Sequence, residues 1–463
     1  MKHPCRKSLC WLIPLFLVLL WGNLHVLLNR DWEESLYPSN YATLNYPLDT
    51  PTLREWKKLD GARMVPDLAW NTTPGQWQLL VDGQVSRVMP GDQPEITLAA
   101  PPLLELTNTP KDFHNYTLRP LPQGSGIDLN FSIMGVAAEL YRRAGQSADH
   151  DIYIVHSDVP IGKFKRYPVS YWADDYHYVD PKSLAEADRI VHEDMGIEAS
   201  DDTVTRMGKV FRYLKSVGIA SAGVPRDDYR WMDPYAIFKE IKAGTGHGWC
   251  TQNAQIFVFF ANRAGIPTRF VFGCNSQDNM VYYTGHSWAE CYVREKARWT
   301  YVDVTMSIIG VSDRNGVPVN SADIYQMCQH DTFDGVTANI FKDWDWKDLP
   351  VTAKPKTPLS VPFALVNRMA KEEFNTEAII KYRCAPHMED LRGIYSMMLK
   401  DPLFAWTNFK RYLFEPPLAY SNLQTNGAHV YWVRRSLFLA LCASLLLILG
   451  ALFCRKGGGP EGG

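Results

Sequence analysis

The chain has 463 residues, 46% of them hydrophobic and 21% charged, with a formal net charge of −2 at pH 7 and a pI near 6.6. That length calls for more than one globular core, and a near-neutral charge without a basic stripe of interleaved aromatics excludes the electrostatic footprint of nucleic-acid binding. Nine cysteines over such a length make no disulfide framework, and no Cys-x-x-Cys or His-x-x-x-His spacing suggests zinc, so neither metal nor cofactor is expected.

Both ends read as membrane segments. Residues 9–28 are almost wholly apolar, follow Lys2, Arg6 and Lys7, and contain no small-x-small cleavage site, so an uncleaved span is expected. Residues 436–454 carry no charge between Arg434-Arg435 and Arg455-Lys456, which sets a second span with its flanks at 434–456. The basic residues before the first span, against Asp31, Glu33 and Glu34 after it, place residues 1–8 and 457–463 in the cytoplasm. The rest then faces the periplasm of a bacterium or the lumen of a eukaryotic compartment, with membrane lipid as a partner.

Between the spans, residues 29–66 show no sustained period and read as a tether. Residues 67–130 break into short runs with turn signals, among them Asp82-Gly83 between alternating residues, and predict a small β-rich domain. A core of residues 131–345 follows. It contains a helical pattern at 133–143, a strand at 151–156, and a helix in which Met207, Val210, Tyr213, Leu214 and Val217 share one face before Gly218. Asp233-Pro234 opens another helix that ends at Gly244. Residues 346–433 read as linker and helical segment, with helix-like patterns at 366–382 and 388–399.

The chemistry concentrates after Gly244-Thr-Gly-His-Gly-Trp-Cys250. Cys250 opens a helix marked by Ala254, Phe257, Phe260, Ala261 and Ala264 and closed by Gly265. A thiol at a helix N-terminus faces free amides and the positive end of the dipole, which favour the reactive thiolate. The glycines at 244, 246 and 248 are expected to let backbone and substrate approach closely. Downstream, residues 286–293 and 298–304 alternate as strands. A two-residue turn at Arg294-Glu295 would set His286 directly opposite Asp303, with Cβ atoms about 5 Å apart. A nucleophile, a base and a group to orient the base are then available.

Four stretches carry a family resemblance: Gly-x-Cys250 with Ala254 and Phe257; Ala264-Gly-Ile-Pro-x-Arg269; Gly285-His-Ser-Trp-Ala-Glu290; and Trp299-x-x-Val-Asp303. Over residues 205–310 the chain resembles the transglutaminase-like superfamily. The resemblance implies an α+β, papain/transglutaminase-like core, joined here to the small N-terminal β-rich domain and a transmembrane helix near each end. It implies Cys250 as nucleophile, His286 as general base and acid, and Asp303 as its orienting partner. The further oxyanion support that family members use would fall to Trp249 or Trp231. The implied reaction is acyl transfer from an amide of a protein or peptide, with hydrolysis and transamidation both open. The competing reading is a catalytically silent scaffold that keeps the core for binding.

Overall fold

The structure is a computed structural model, and it describes residues 4–28, 37–50, 52–60, 63–69, 75–91, 98–99, 103–104, 114–122, 128–143, 145, 152–157, 162, 164–220, 223–277, 280–330, 333–351, 377–383, 402–403, 406, 418–420 and 427–456. The chain forms two compact units, Asn40–Ser170 and a second made of Met1–Ser39 with Tyr171–Gly463.

In the first unit Gln76–Val81 and Gln84–Pro90 form the hairpin expected at Asp82-Gly83, where both turn residues have positive φ (51° and 81°), as a tight primed turn requires. The sheet continues through Asn115–Leu121, Leu129–Val136 and Ile152–Ser157. Trp77, Leu79, Leu118, Leu129, Phe131 and Ile133 alternate into its core. The boundary expected at residue 130 therefore moves to Ser170, because the strands after it add to this sheet. The expected tether also contains structure: Thr52–Asp60 pairs antiparallel with Arg63–Ala69. Register shifts at Leu53/Glu55 and Lys58/Asp60 break the two-residue period by which such a hairpin would be read.

The second unit packs helices α1 (Thr203–Ser216), α2 (Pro234–Lys242) and α3 (Cys250–Arg263) with strands β1 (Thr268–Gln277), β2 (Met280–Val293) and β3 (Arg298–Val302). Asp202 caps α1 by accepting from the Thr205 N–H, and Asp233 caps α2 by accepting from Tyr235 and Ala236, with Pro234 in the first turn. These caps satisfy donors that have no partner within the helix. Phe257, Phe259, Phe260 and Ala261 of α3 are buried with Met207, Val210, Phe211 and Leu214 of α1 and Ala289 and Cys291 of β2. The helix ends as expected, with Gly265 at φ 75° and the Ile266 N–H reaching back to Ala261 O.

The central sheet has six strands, and two of its positions overturn the reading of residues 346–433. Glu377–Arg383 is a strand paired with β1, and Leu418–Tyr420 pairs with it in turn. Ile380, Lys381 and Tyr382 are all buried, so at these three positions both faces are covered. A strand of that kind loses its alternation and resembles a helical pattern. Asp345–Pro350, at the start of the expected linker, is likewise a strand, paired with Thr337–Lys342, while residues 352–376 and 384–401, which hold the rest of the two helical patterns, lie outside the described residues.

At the sheet edge Tyr37–Pro38 pairs in parallel with Leu418–Tyr420. These strands follow the helix Pro4–Leu28 and precede the helix Gly427–Lys456. The segment Arg435–Phe453 is 19 residues long with mean hydropathy 2.6 and is long and apolar enough to cross a membrane. The apolar stretch of the first helix, Leu9–His25, is shorter. The two helices touch: Asn23 Nδ2 donates to Leu19 O (2.7 Å) and to Leu437 O of the other helix (3.0 Å).

Candidate active site

The turn that delivers Cys250 is built from α2 outward. Gly244 (φ 72°) closes α2, with its N–H on Ile241 O and the Thr245 N–H on Glu240 O, a left-handed position that glycine fills without strain. Gly246 and Gly248 serve a different purpose from the substrate approach expected of them. A Cβ at Gly246 would sit 1.7 Å from the Tyr229 hydroxyl, and one at Gly248 would sit 2.8 Å from Asn253 Oδ1. They make room for the protein's own side chains. Trp249 then caps α3: its N–H donates to Gln252 Oε1 (3.1 Å) and its carbonyl accepts from Asn253. Cys250 is the first residue of the helix.

His286 and Asp303 meet, in a register other than the expected one. Val293 opposes Arg298 and Ala289 opposes Val302, two positions away from the direct pairing of 286 with 303. The loop is longer than a two-residue turn because residues 294–296 form a 3₁₀ turn, Ala297 takes φ 49°, and Glu295 is drawn to α1, accepting from the Thr203 N–H (3.0 Å). A two-residue shift preserves the face, since side chains alternate with period two. His286 Nε2 accordingly reaches Asp303 Oδ2 diagonally, at 2.6 Å. Tyr301, on the same face, donates its hydroxyl to the same oxygen (3.0 Å), and the Met306 N–H donates to Oδ1 (3.0 Å). Asp303 is fully buried, whereas the His286 side chain is 19% exposed.

The imidazole of His286 also interacts with the thiol of Cys250. Burial pushes the thiol up, but the hydrogen bond and charge of His286, the Ser287 N–H and the Thr251 side chain outweigh it and hold Cys250 below the ordinary thiol value. Burial likewise disfavours a charged imidazole. The bonds to Asp303 and Cys250 and the charges on both overcome that and raise His286 to about 10. Both shifts favour a thiolate–imidazolium pair.

Behind His286 lies a sealed layer. Arg269 and Glu290 are both fully buried and paired through Nε to Oε2 (2.9 Å). The guanidinium sits 4.8, 4.1 and 4.5 Å from the ring centroids of Trp172, Trp299 and Tyr382. Glu290 Oε1 accepts from the Ser321 N–H, and Trp288 Nε1 donates to Ser321 Oγ (2.7 Å). The His286 ring stacks on Trp288 at 5.9 Å.

Of the five expected site residues, Cys250, His286 and Asp303 come together. Trp249 adjoins the thiol, but its indole N–H donates to Gly223 O (2.9 Å) and so is already engaged. Trp231 ends the 3₁₀ turn Asp227–Trp231, and its side chain lies outside what the structure describes. Four contributors went unread in the sequence: Thr251, Asn253, Ser287 and Tyr301. Tyr301 had a signal, since alternation puts it on the face of Asp303. Asn253 had one too, three residues along the helix from Cys250. It is buried, accepts from the Ala220 N–H and donates to Thr305 Oγ1 (3.3 Å), tying α3 to the loop after Asp303. Among the described residues no group of three or more His, Cys, Asp or Glu is arranged to hold a metal.

A sequence model of the transglutaminase-like superfamily matches residues 198–304. The match begins just before the Asp202 cap of α1 and ends one residue beyond Asp303, so it encloses the whole Cys250–His286–Asp303 cluster. No curated protein matches the chain.

Proposed function

Proceeding from a transglutaminase-like domain at residues 198–304, we propose that the chain is a membrane-anchored thiol acyl-transfer enzyme acting on amide bonds of a protein or peptide through a thioester on Cys250. One observation carries this reading: a single imidazole is bonded through Nε2 to the buried carboxylate of Asp303 and interacts with the thiol of Cys250 at the start of α3. The thiolate attacks the amide carbonyl. The oxyanion that forms has the amides of the first turn of α3 within the same helix end, where N–H groups lack a partner four residues back. The His286 imidazolium gives its proton to the departing amine. It is neutral afterwards and takes a proton from water, for hydrolysis, or from an incoming amine, for transamidation. Asp303 fixes the ring orientation throughout and offsets its positive charge.

In this reading both terminal helices span the membrane and the domain lies outside the cytoplasm. The support is the apolar segment Arg435–Phe453, the basic residues before the apolar stretch of the first helix, and the hydrogen bond from Asn23 to Leu437.

The test uses full-length protein in detergent micelles, exposed to p-nitrophenyl acetate and to glutamine-containing peptides with and without a primary amine. An acyl adduct on Cys250, found by peptide mass spectrometry and absent in His286→Ala, is the expected result. No adduct on Cys250 with any donor would overturn the assignment.

A further inference from the structure

A groove of 920 Å³ opens in the second unit, apart from the Cys250 cluster. It lies between α1, the loop from β2 to β3, and the strands Ile308–Ser312, Thr337–Lys342 and Asp345–Pro350. Sites for small molecules span roughly 300–1,000 Å³. Thr300 of β3 lines the groove from the strand face opposite Tyr301, and none of Cys250, His286 and Asp303 does. The apolar part of the lining is the buried Met207, Val293 and Ile309 with the half-buried ring of Trp346.

Two walls of the groove carry a glycine that neither backbone nor packing requires. Gly208 stands inside α1 and Gly310 inside the strand Ile308–Ser312, and neither takes a positive φ. A Cβ at Gly208 would meet nothing closer than Trp346 Cζ2 at 3.8 Å, and one at Gly310 nothing closer than Thr300 Oγ1 at 3.5 Å. Alanine fits at both positions and is the more stable choice inside a helix. What the missing methyl groups provide is width in the groove.

The charged rim is unevenly satisfied. Its acids are held by the protein: Asp202 accepts from the Thr205 N–H, Glu295 from the Thr203 N–H, Asp313 from the Val317 N–H, and Asp348 from Asn339 Nδ2. Lys209 is bound to Asp201 (2.7 Å), and Arg314 lies 3.6 Å from Asp334. Arg212 and Lys296 remain, and among the described residues neither side chain has a hydrogen bond or ion pair. Arg212 follows Gly208 by one turn on the same helix face, so a guanidinium, the Trp346 ring and the space left by Gly208 adjoin one another. Lys296 sits beside Glu295 at the Thr203 end of α1, about 13 Å along the helix from Arg212.

We propose that this groove binds a small aromatic carboxylate, its ring laid against Trp346 in the width left by Gly208 and its carboxylate taken by Arg212. A guanidinium matches a carboxylate with two parallel N–H donors, and an indole face offers a flat apolar partner to a ring. Lys296 adds only to the local field. The site is independent of the reading of Cys250 as a nucleophile.

The test is equilibrium dialysis of indole-3-propionate against the full chain in micelles, with empty micelles as the blank and 3-(indol-3-yl)propan-1-ol as the neutral twin. One saturable site per chain is expected, with the acid bound about tenfold more tightly than the alcohol. Arg212→Gln removes that difference and leaves the alcohol as it was, and Lys296→Gln weakens the acid by less. Gly208→Leu abolishes binding of both. Gly208→Ala weakens binding while raising the thermal midpoint by about 2 °C. A Gly208→Ala protein that melts lower would show that packing requires the glycine and overturns the proposal. Saturable binding that survives Gly208→Leu, an acid held no better than the alcohol, or no binding beyond the empty micelles overturns it equally.

Discussion

Glu290 of β2 and Asp303, the residue after β3, are both fully buried carboxylates, yet their surroundings differ. Glu290 is closed on every side: Arg269 takes one oxygen, the Ser321 N–H takes the other, and three aromatic rings seal the guanidinium. Asp303 is as deep, but its partner His286 reaches partly exposed space and interacts with the Cys250 thiol. Burial with a counter-charge therefore does not make a reactive group. Arginine stays charged and passes on no proton, whereas histidine has two nitrogens and exchanges protons. The first pair holds β2 in place, and the second uses that placement.

Substitutions should separate the two pairs. The largest effect on the chemistry is expected at the open one: Asp303→Asn lowers the rate of acyl transfer on the order of 10⁴-fold, and His286→Ala lowers it by about 10²–10⁴-fold, each with some loss of stability as well. Glu290→Gln should affect stability alone. It leaves Arg269 as a buried charge without its carboxylate and costs about 3–5 kcal/mol of stability, while Cys250 in the protein that remains folded keeps the wild-type alkylation profile. Thermal denaturation followed alongside alkylation distinguishes the outcomes. If Glu290→Gln shifted the profile as Asp303→Asn does, the distinction drawn between the pairs would fail.

The pH dependence sharpens the same contrast. The His286 value is raised to about 10, so its contribution to stability is complete below the unfolded imidazole value and is lost as pH rises through about 10. The Cys250 value is lowered, so its contribution is present above the unfolded thiol value and is lost as pH falls through the folded one. Turnover needs thiolate and imidazolium together. It should rise on the acid side with the thiol, hold a plateau, and fall near pH 10 as His286 loses its proton. Alkylation needs thiolate alone and should not fall there. The smallest effect concerns the helix pair: Gly22, whose Cβ position is 3.7 Å from the Leu437 side chain, should form a disulfide as Gly22→Cys with Leu437→Cys in intact membranes. Absence of that crosslink under oxidation would count against two paired spans.

The site was more legible in the sequence than the fold around it. Cys250, His286 and Asp303 stand in or beside strongly patterned elements, and their types and order announce a thiol, a base and an orienting group. The same face for His286 and Asp303 followed from alternation and survived a register error, because the error was an even number of residues. Tertiary demands were hidden. Glu295 lengthens the hairpin loop to serve α1, Gly246 and Gly248 yield to Tyr229 and Asn253, and Glu377–Arg383 joins the sheet from more than 70 residues downstream of Asp303. No local period carries such information. Thr251 and Ser287 were equally silent, since nothing in Cys-Thr or His-Ser says that their hydroxyls meet, 2.9 Å apart.

The central claim is that His286 and Asp303 hold Cys250 as a thiolate. Its most direct measurement is the rate of iodoacetamide alkylation at mildly acid pH, cysteine by cysteine, in the wild type, His286→Ala and Asp303→Asn. Cys250 should react far faster than the buried Cys291 and the helix thiol Cys442, and should lose that advantage in both variants. Equal labelling of the cysteines in the wild type, or an advantage that persists without His286, would contradict it.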